Sequence, residues 1–287
     1  MAEILKGKDV IASMKERMLK QVEELQSHGV TPCLAIVRLG AKADDLAYEK
    51  GAVKRCEGLG IKCVVMEYDE SISQKELEDE IRKLNEDAGI HGILVFRPLP
   101  KHIDENAIKY VISPDKDVDC FSPVNVAKVF EGDDNGFAPC TPEAVMEMLE
   151  HYGVDVSGKR VVVIGRSLVV GKPLSMLLLR KNATVTICHT KTRDLEGTSR
   201  TADILIAAAG KARMITEEFV SPGQIVIDVG INMDQDGNLC GDVDYDNVEK
   251  TVAMITPVPG GVGTVTTSIL AKHVLAAAWR LSGVMGS

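Results

Sequence analysis

The feature that most constrains the fold of this chain is the alternation of short apolar runs with longer amphipathic segments. Runs of strand length occur at 33–40, 62–68 and 92–96, and helix-like segments separate them. In residues 8–28, apolar side chains recur at intervals of three and four, and Gly29 ends the pattern. Buried strands that alternate with helices are typical of a parallel sheet covered by helices on both faces. The pattern therefore predicts an α/β protein.

The alternation is interrupted once, which predicts two domains. A linker-like stretch, EGDDNGFAP, occupies 131–139, and the pattern restarts as a helix at 141–153. Further strand candidates and a last helix follow, at 160–165, 183–188, 202–208, 224–230 and 266–281. The 287 residues are enough for two domains. We predict a first α/β domain over 1–140 and a second over 141–265.

Charge and cysteine content exclude several classes of protein. The formal net charge of −9 argues against a protein that binds nucleic acid through a basic face. Seven Cys without a C-x-x-C pair fit free thiols in a reducing compartment better than disulfides or a metal site. The first residues, MAEILKGKDV, carry charges where a signal peptide needs apolar residues, and no run approaches the ~18 apolar residues of a membrane helix. We therefore expect a cytoplasmic protein without a metal or a membrane segment.

A possible dinucleotide site lies at residues 160–179, RVVVIGRSLVVGKPLSMLLL, which combine a strand, a turn and a helix. Gly165 and Gly171 would let the backbone approach a pyrophosphate, and the N-terminus of a helix offers free N–H groups. The spacing differs from G-x-G-x-x-G, so an ordinary tight turn remains the alternative.

The end of the following strand favours NADP over NAD. NAD enzymes usually place an Asp or Glu there for the ribose hydroxyls. Here the strand ends in four other polar residues, His189, Thr190, Lys191 and Arg193. Hydroxyl and cationic donors suit a 2′-phosphate, and Arg166 could reach it from the first turn. His189 could equally be a structural residue at the end of a strand.

Ordered motifs in both halves resemble those of the methylenetetrahydrofolate dehydrogenase/cyclohydrolase family. In the first half these are the segment around Tyr48, PLP at 98–100 and PDKDVD at 114–119. The second half contains PCTP (139–142), GRS…VGKP (165–173), NATVTICHTKT (182–192), DVGIN (228–232), GDVD (241–244) and TPVPGGVG (256–263). The resemblance covers nearly the whole chain.

The resemblance implies a multifunctional oxidoreductase and hydrolase of one-carbon metabolism, active in tetrahydrofolate interconversion. Such an enzyme oxidises 5,10-methylenetetrahydrofolate to the 5,10-methenyl form with NADP⁺ and hydrolyses that product to 10-formyltetrahydrofolate. The resemblance also implies a homodimer, a Rossmann-like NADP domain and a folate cleft between the two domains. The C-terminal helix, over 266–287, would pack back on the first domain.

The same resemblance assigns roles to individual residues. The catalytic residues would be Tyr48, stacked near the reacting carbon, and Asp119, hydrogen-bonded to the pterin ring. The substrate would also contact Phe96, Pro98, Leu99, Pro257, Pro259, Gly260 and Gly261. NADP would contact Thr141, Gly165, Arg166, Ser167, Val170, His189, Thr190, Ala209, Ile231, Gly263 and Thr266.

The chain departs from the family pattern where the cyclohydrolase step needs an acid–base group. The family has a Lys four residues after the Tyr and a Gln before PLP, and here those positions hold Ala52 and Phe96. Lys50 and Lys54 would lie at roughly 200° and 240° from Tyr48 on an ideal helix, so neither points where the family's Lys points. Because a positioned acid–base group contributes about 10²–10⁴-fold, we expect little or no cyclohydrolase activity.

Other departures and other interpretations remain open. Asp45 stands where relatives often have Ser, Cys120 replaces a Gly, and Thr264-Val265 replace a Pro-Met pair. A shifted helix register could bring Lys54 or Lys50 into the site, which would give a fully bifunctional enzyme. The remaining alternatives are an NADP-dependent dehydrogenase of small acids on the same architecture and a non-catalytic protein that binds folate and NADP.

Overall fold

The computed structural model describes residues 2–283, which form two compact units. The 13–140 unit contains Ser13–Cys140 and the chain from Thr267 onward, and the 141–266 unit contains Thr141–Thr266 and the chain up to Ala12. The first helix, α1 (Gly7–Ser27), contributes residues to both units.

The 13–140 unit is built on a three-stranded parallel sheet. Strand β2 (Cys33–Leu39) is central, between β3 (Lys62–Tyr68) and β4 (Gly92–Val95). Helix α2 (Ala43–Glu57) connects β2 to β3, and α3 (Gln74–Glu86) connects β3 to β4. This is the β-α-β-α order that the sequence predicts.

Burial and capping explain why these elements form. Every residue of β2 is buried, as expected for the central strand of a sheet covered on both faces. On α3, Leu77 and Ile81 pack into the core beneath the sheet. The helix begins with a capping box, in which the Ser73 hydroxyl accepts from the Glu76 N–H at 3.3 Å and the Glu76 carboxylate accepts from the Ser73 N–H at 3.0 Å.

Three more helices complete the 13–140 unit. Helices α4 (Glu105–Val111) and α5 (Pro123–Glu131) follow β4. The last helix, which ends at Ser282, packs against this unit through His273, whose Nδ1 lies 2.8 Å from the carbonyl oxygen of Val118. The helix predicted over 266–287 therefore starts earlier, at Val262, and residues 284–287 lie outside the described residues.

The 141–266 unit contains a six-stranded parallel sheet. Its strands are β1 (Glu3–Ile4), β5 (Arg160–Ile164), β6 (Thr184–Cys188), β7 (Ile204–Ala207), β8 (Ile225–Asp228) and β11 (Met254–Ile255). Their order is β1-β11-β8-β7-β5-β6. The chain winds outward in both directions from β5, which creates a switch point between β5 and β7 where Rossmann-like folds bind their ligand. The predicted α/β class is confirmed.

Short elements surround this sheet. The helices are α6 (Cys140–His151), α7 (Gly171–Arg180), α8 (Leu195–Arg200) and α9 (Tyr245–Val248), with a 3-10 turn at Glu217–Phe219. The last helix, α10 (Val262–Ser282), begins in this unit and continues in the 13–140 unit. An antiparallel pair is formed by β9 (Asn232–Met233) and β10 (Leu239–Cys240). The helix predicted over 141–153 is Cys140–His151, so it begins one residue earlier and Thr141 lies within its first turn.

The start of the chain belongs to a different unit from the one that the sequence predicts. Residues 1–140 are the predicted first domain, but residues up to Ala12 group with the 141–266 unit. The physical reason is main-chain pairing, because Glu3–Ile4 lies parallel to Met254–Ile255 at the edge of the larger sheet.

Two general properties of the described residues bear on the expectations. All seven cysteines lie within the described residues, none of them forms a disulfide there, and Cys63 is the one that is not fully buried. Within residues 2–283, no helix combines the length and apolar character needed to cross a membrane.

Candidate active site

A cavity of about 200 Å³ lies beyond the carboxyl end of β4 in the 13–140 unit. Its lining is formed by Asp45, Tyr48, Leu94, Val95, Phe96, Arg97 and Asp119. The carboxyl ends of parallel strands are the usual place for ligands in α/β sheets. The structure therefore brings together three of the residues that the sequence analysis assigns to the folate site: Tyr48, Phe96 and Asp119.

Two aromatic rings form the apolar wall of this cavity. The rings of Tyr48 and Phe96 meet edge to face, with centroids 5.8 Å apart and an interplanar angle of 68°. This is a favourable geometry for an aromatic pair. Phe96 is buried, and its ring offers no hydrogen bond where the family pattern has an amide. This side of the cavity can hold a flat ligand, and the Phe96 ring, unlike the amide of the family pattern, cannot polarise a water molecule.

A carboxylate and a guanidinium form the polar wall. Asp119 Oδ1 accepts a hydrogen bond from the Cys140 N–H at 3.0 Å, and its Oδ2 lies 3.8 Å from Arg97 Nη2. The Arg97 guanidinium also lies over the ring of Phe121, 4.6 Å from its centroid. Arg97 is absent from the residues that the sequence assigns to the site, although the proline-rich RPLP segment contains it.

The three aspartates of PDKDVD occupy different environments. Asp115 is exposed, and only Asp119 of the three lines the cavity in the described structure. Asp117 is buried and accepts hydrogen bonds from the N–H groups of Phe121 and Ser122 and from the Asn125 side chain. Burial raises the pKa of Asp117, and these donors oppose the rise. Asp117 therefore holds the loop that carries Asp119.

The residue after Asp119 adopts an unusual backbone conformation. Cys120 has a φ of 59°, in the left-handed region that favours glycine. This explains the physical preference for Gly at this position in the family pattern. Its thiol is buried, and burial raises the pKa of Cys120, so the thiol is unreactive.

Helix α2 fixes which side chains can reach the cavity. It is continuous over Ala43–Glu57, and Ala52, one turn after Tyr48, is fully buried. Lys50 and Lys54 are both exposed. The register is the one that the sequence predicts, and neither Lys50 nor Lys54 lines the cavity.

A buried arginine holds α2 against the sheet. Arg38, at the end of β2, donates from Nε to Glu49 at 2.8 Å and lies 3.1 Å from Glu67 through Nη2. It also donates to the carbonyl oxygen of Gly40. The hydrogen bond with Glu49 is the main cause that raises the pKa of Arg38. Because Glu49 follows Tyr48 directly, these contacts fix the position of the tyrosine.

The remaining predicted folate residues lie in two loops. In the 13–140 unit, Pro98 is exposed, and Leu99 is buried with its N–H donated to Glu105 at 2.9 Å. The other loop, which contains Pro257, Pro259, Gly260 and Gly261, belongs to the 141–266 unit. Gly260 has a φ of 103° and accepts from the Gly7 N–H at 2.8 Å.

The turn from β5 to α7 is compact enough to require glycine. Gly165 has a φ of 135°, and a Cβ there would lie 2.1 Å from the carbonyl oxygen of Ala208. A Cβ on Gly171 would lie 2.1 Å from the carbonyl oxygen of Gly165. Within the turn, the Ser167 hydroxyl accepts from the Val170 N–H at 3.0 Å. The N-terminus of α7 therefore faces the switch point between β5 and β7, with no side chain at Gly165 or Gly171 to block a pyrophosphate.

The end of β6 offers donors and no free carboxylate. Thr190, Lys191 and Arg166 are exposed, whereas His189 stabilises its own turn, with Nδ1 3.1 Å from the Lys191 N–H. The first acidic residue beyond β6, Asp194, caps α8 by accepting from the Gly197 N–H at 3.0 Å. These residues fit a nucleotide with a 2′-phosphate better than one with a free ribose hydroxyl.

Two loops at this edge are held by a buried aspartate that the sequence does not assign to the site. Asp242 Oδ2 accepts from the N–H groups of Ala209 at 2.6 Å and Gly210 at 2.9 Å. Its Oδ1 accepts from the Lys211 N–H at 2.8 Å and from Asn232 Nδ2 at 2.9 Å. The GDVD and DVGIN motifs are the signal for this arrangement, but their spacing does not give its geometry.

The other predicted cofactor residues are placed as follows. Ile231 is exposed at 66%, and a Cβ on Gly263 would lie 3.3 Å from its Cδ1. Thr266 is buried, and its hydroxyl donates to the Gly263 carbonyl oxygen at 3.0 Å. Thr141 is half-buried at the start of α6.

Known proteins match nearly the whole chain. The catalytic-domain model of the tetrahydrofolate dehydrogenase/cyclohydrolase family matches residues 5–119, and the NAD(P)-binding-domain model of the same family matches residues 139–282. The bifunctional protein FolD of Clostridioides difficile (strain 630) is 59% identical over 275 residues, which are 96% of this chain and 96% of that protein.

Solved structures of the same family superpose closely. The bifunctional enzyme FolD-methylenetetrahydrofolate dehydrogenase/cyclohydrolase of Campylobacter jejuni is 42% identical, with a TM-score of 0.95 over 98% of this chain and 99% of that chain. The methylenetetrahydrofolate dehydrogenase-cyclohydrolase of Trypanosoma brucei, complexed with NADP and an inhibitor, is 37% identical, with a TM-score of 0.92 over 99% of each chain. Sequence identity and fold agree over both units, and the chain belongs to the tetrahydrofolate dehydrogenase/cyclohydrolase family.

Proposed function

We propose that this protein is an NADP-dependent 5,10-methylenetetrahydrofolate dehydrogenase with little or no cyclohydrolase activity. The observation that carries the proposal is the cavity in which Tyr48 and Asp119 lie together. A family member with these two residues in one cavity has the parts that folate binding requires.

Substrate binding rests on the two walls of the cavity. The Asp119 carboxylate, oriented by the Cys140 N–H at 3.0 Å, accepts hydrogen bonds from the N–H groups of the pterin ring. The ring of Tyr48 packs near the reacting carbon, and its edge-to-face contact with Phe96 at 5.8 Å fixes its orientation. These contacts hold the one-carbon bridge in place.

The nucleotide rests on the turn after β5 and on the end of β6. The N–H groups at the start of α7 bind the pyrophosphate, and Arg166, Thr190 and Lys191 bind the 2′-phosphate. The backbone loops held by Asp242 position Ala209 and Ile231 beside the nucleotide. When bound, NADP⁺ supplies the hydride acceptor. The NADP complex of the Trypanosoma brucei relative supports this choice of cofactor.

Hydride transfer needs no base from the protein, but hydrolysis of the methenyl product does. The substrate nitrogen supplies the electrons that expel the hydride, so positioning suffices for the first step. Hydrolysis requires activation of water, and the chain has a buried Ala52 and, in the cavity lining, an apolar Phe96 where the family pattern has Lys and Gln. Lys50 and Lys54 are exposed. The methenyl product is therefore released.

One finding favours a second candidate, a fully bifunctional enzyme. The Clostridioides difficile relative, 59% identical, is named a bifunctional protein. To decide, the purified protein is mixed with methylenetetrahydrofolate and NADP⁺, and full ultraviolet spectra resolve NADPH from methenyltetrahydrofolate over time. Accumulation of both supports the proposal. A control without enzyme gives the rate of spontaneous hydrolysis of methenyltetrahydrofolate. If NADPH forms but methenyltetrahydrofolate does not build up as this control allows, the protein is bifunctional. Absence of both products refutes the dehydrogenase.

We also propose a homodimer in the cytoplasm. The family resemblance supports the dimer, and so does β3, an edge strand of seven residues that pairs only with β2 in the described structure. Such an edge exposes unpaired N–H and C=O groups that a second copy can cover. Light scattering coupled to size exclusion should give twice the chain mass of 31.0 kDa, and a monomer at micromolar concentration would contradict the proposal.

A further inference from the structure

Arg97 is the only cation among the described residues that line the 200 Å³ cavity. It follows Phe96 at the end of β4, and its side chain is 26% exposed. It therefore places a permanent positive charge and several N–H donors against a bound ligand.

Two contacts fix the orientation of this guanidinium. One is the ring of Phe121, whose centroid lies 4.6 Å from Arg97 Cζ. Phe121 is itself held, because its N–H donates to the buried Asp117 at 2.9 Å. The other is Asp119, whose Oδ2 lies 3.8 Å from Arg97 Nη2. The guanidinium is therefore ordered before any ligand binds.

Side by side, Asp119 and Arg97 present an acceptor and a donor to the same cavity. The pterin ring presents the complement, a ring N–H next to a carbonyl group at the 4-position. The 3.8 Å between Arg97 Nη2 and Asp119 Oδ2 is too long for a direct hydrogen bond, so the N–H groups of Nη2 can still donate to a ligand. A ligand carbonyl can accept from it while the neighbouring N–H donates to Asp119.

We propose that Arg97 is a specificity-determining residue that donates a hydrogen bond to the 4-carbonyl oxygen of the pterin, next to the N–H groups bound by Asp119. The inference rests on the proposed function, since it concerns the same substrate site. It makes recognition of the ring depend on a pair of opposite charges. Because an arginine stays protonated, Arg97 binds the ring without becoming the base that hydrolysis needs.

The experiment compares three ligands by calorimetry in the presence of NADP: folic acid, its 4-amino analogue and its 2-desamino analogue. The 4-amino analogue replaces the carbonyl acceptor with a donor and also loses the ring N–H at the 3-position, whereas the 2-desamino analogue removes only an N–H group that faces Asp119. The loss at the 3-position is the same in wild type and variant, so the change in preference between them reports the contact of Arg97. In Arg97→Met, the preference for folic acid over the 4-amino analogue should fall about tenfold or more, the effect of one charge-assisted hydrogen bond. The preference over the 2-desamino analogue should stay within about threefold.

Control variants and outcomes separate the possible roles. Arg97→Lys keeps a donor and the charge and should retain most of the 4-carbonyl preference, and an unchanged far-ultraviolet circular dichroism spectrum reports that each variant is folded. Equal loss of both preferences in Arg97→Met would mean that Arg97 acts only by positioning Asp119, and loss of neither would mean no contact with the ring. Either result overturns the inference. A wild-type protein that binds no ligand and forms no NADPH would refute the dehydrogenase itself.

Discussion

Replacement of Asp242 with Asn tests whether this carboxylate holds the cofactor edge. Its two oxygens accept from the N–H groups of Ala209, Gly210 and Lys211 and from the side chain of Asn232. An amide has one oxygen and one NH₂ group, so in either rotamer two of these donors face another donor. Each buried donor left unsatisfied costs about 1–3 kcal/mol, which sums to about 2–6 kcal/mol.

The exposure of the loop decides where in this range the effect falls. Ala209 and Gly210 are exposed, so water can accept hydrogen bonds from their N–H groups in place of the lost carboxylate oxygen. We therefore expect Asp242→Asn to lower the free energy of unfolding by about 2–3 kcal/mol. Loosening the loop should also weaken NADP binding by about tenfold, since ~1.4 kcal/mol corresponds to a factor of ten.

Urea unfolding followed by circular dichroism, together with titration with NADP, measures both effects. Asp246→Asn is the matched control, because Asp246 is exposed on α9 and its replacement should change stability by less than about 0.5 kcal/mol. If Asp242→Asn has the urea midpoint and the NADP affinity of Asp246→Asn, the carboxylate does not hold the loops and the reasoning fails.

Three further predictions concern the two sites and the core. Ala52→Lys combined with Phe96→Gln should give measurable hydrolysis of methenyltetrahydrofolate, up to about 10²-fold above the parent, and no gain in a stopped spectral assay would refute the missing-base account. Lys191→Glu should weaken NADP relative to NAD by about tenfold in competition titrations, whereas Lys159→Glu, exposed at the opposite end of the sheet, should leave the ratio unchanged. Burial raises the pKa of Asp228 from 3.8 to about 6, so the folded state binds the extra proton between these values. The contribution of this proton to the free energy of unfolding is complete below pH 4 and is lost as the pH rises through 6. Between pH 4 and pH 7, the free energy of unfolding of the wild type should therefore fall by about 3 kcal/mol relative to that of Asp228→Asn. Parallel curves of unfolding free energy against pH for the two proteins would contradict this.

Most of the secondary structure could be predicted because burial imposes a period on the sequence. The helix predicted over 8–28 is Gly7–Ser27, and the strand predicted over 33–40 is Cys33–Leu39. The two-residue strands Glu3–Ile4 and Met254–Ile255 carry no such signal. They form only because distant parts of the chain pair, which no local pattern encodes.

In the candidate site, too, the features that depend on neighbouring residues could be predicted, and those that depend on tertiary contacts could not. The glycines of the β5–α7 turn could be predicted, because a tight turn before a helix leaves its mark in adjacent residues. The choice of Asp119 among three aspartates, and the position of Arg97 over the Phe121 ring at 4.6 Å, depend on which side chains the fold buries. The role of Asp242 depends on a distant loop, because Ala209, whose N–H donates to it, lies 33 residues earlier in the chain.

The chain passes between its two units at three places, after Ala12, after Cys140 and after Thr266. Neither unit is therefore a continuous stretch of sequence, which matters for a polypeptide that leaves the ribosome from its N-terminus. We expect the 13–140 unit to remain incomplete until the helix that carries His273 has emerged to meet Val118. The edge strand Glu3–Ile4 has to wait for Met254–Ile255, almost the whole time of translation. Folding of both halves is thereby coupled to completion of the chain, and a fragment cut at 140 would lack parts of both.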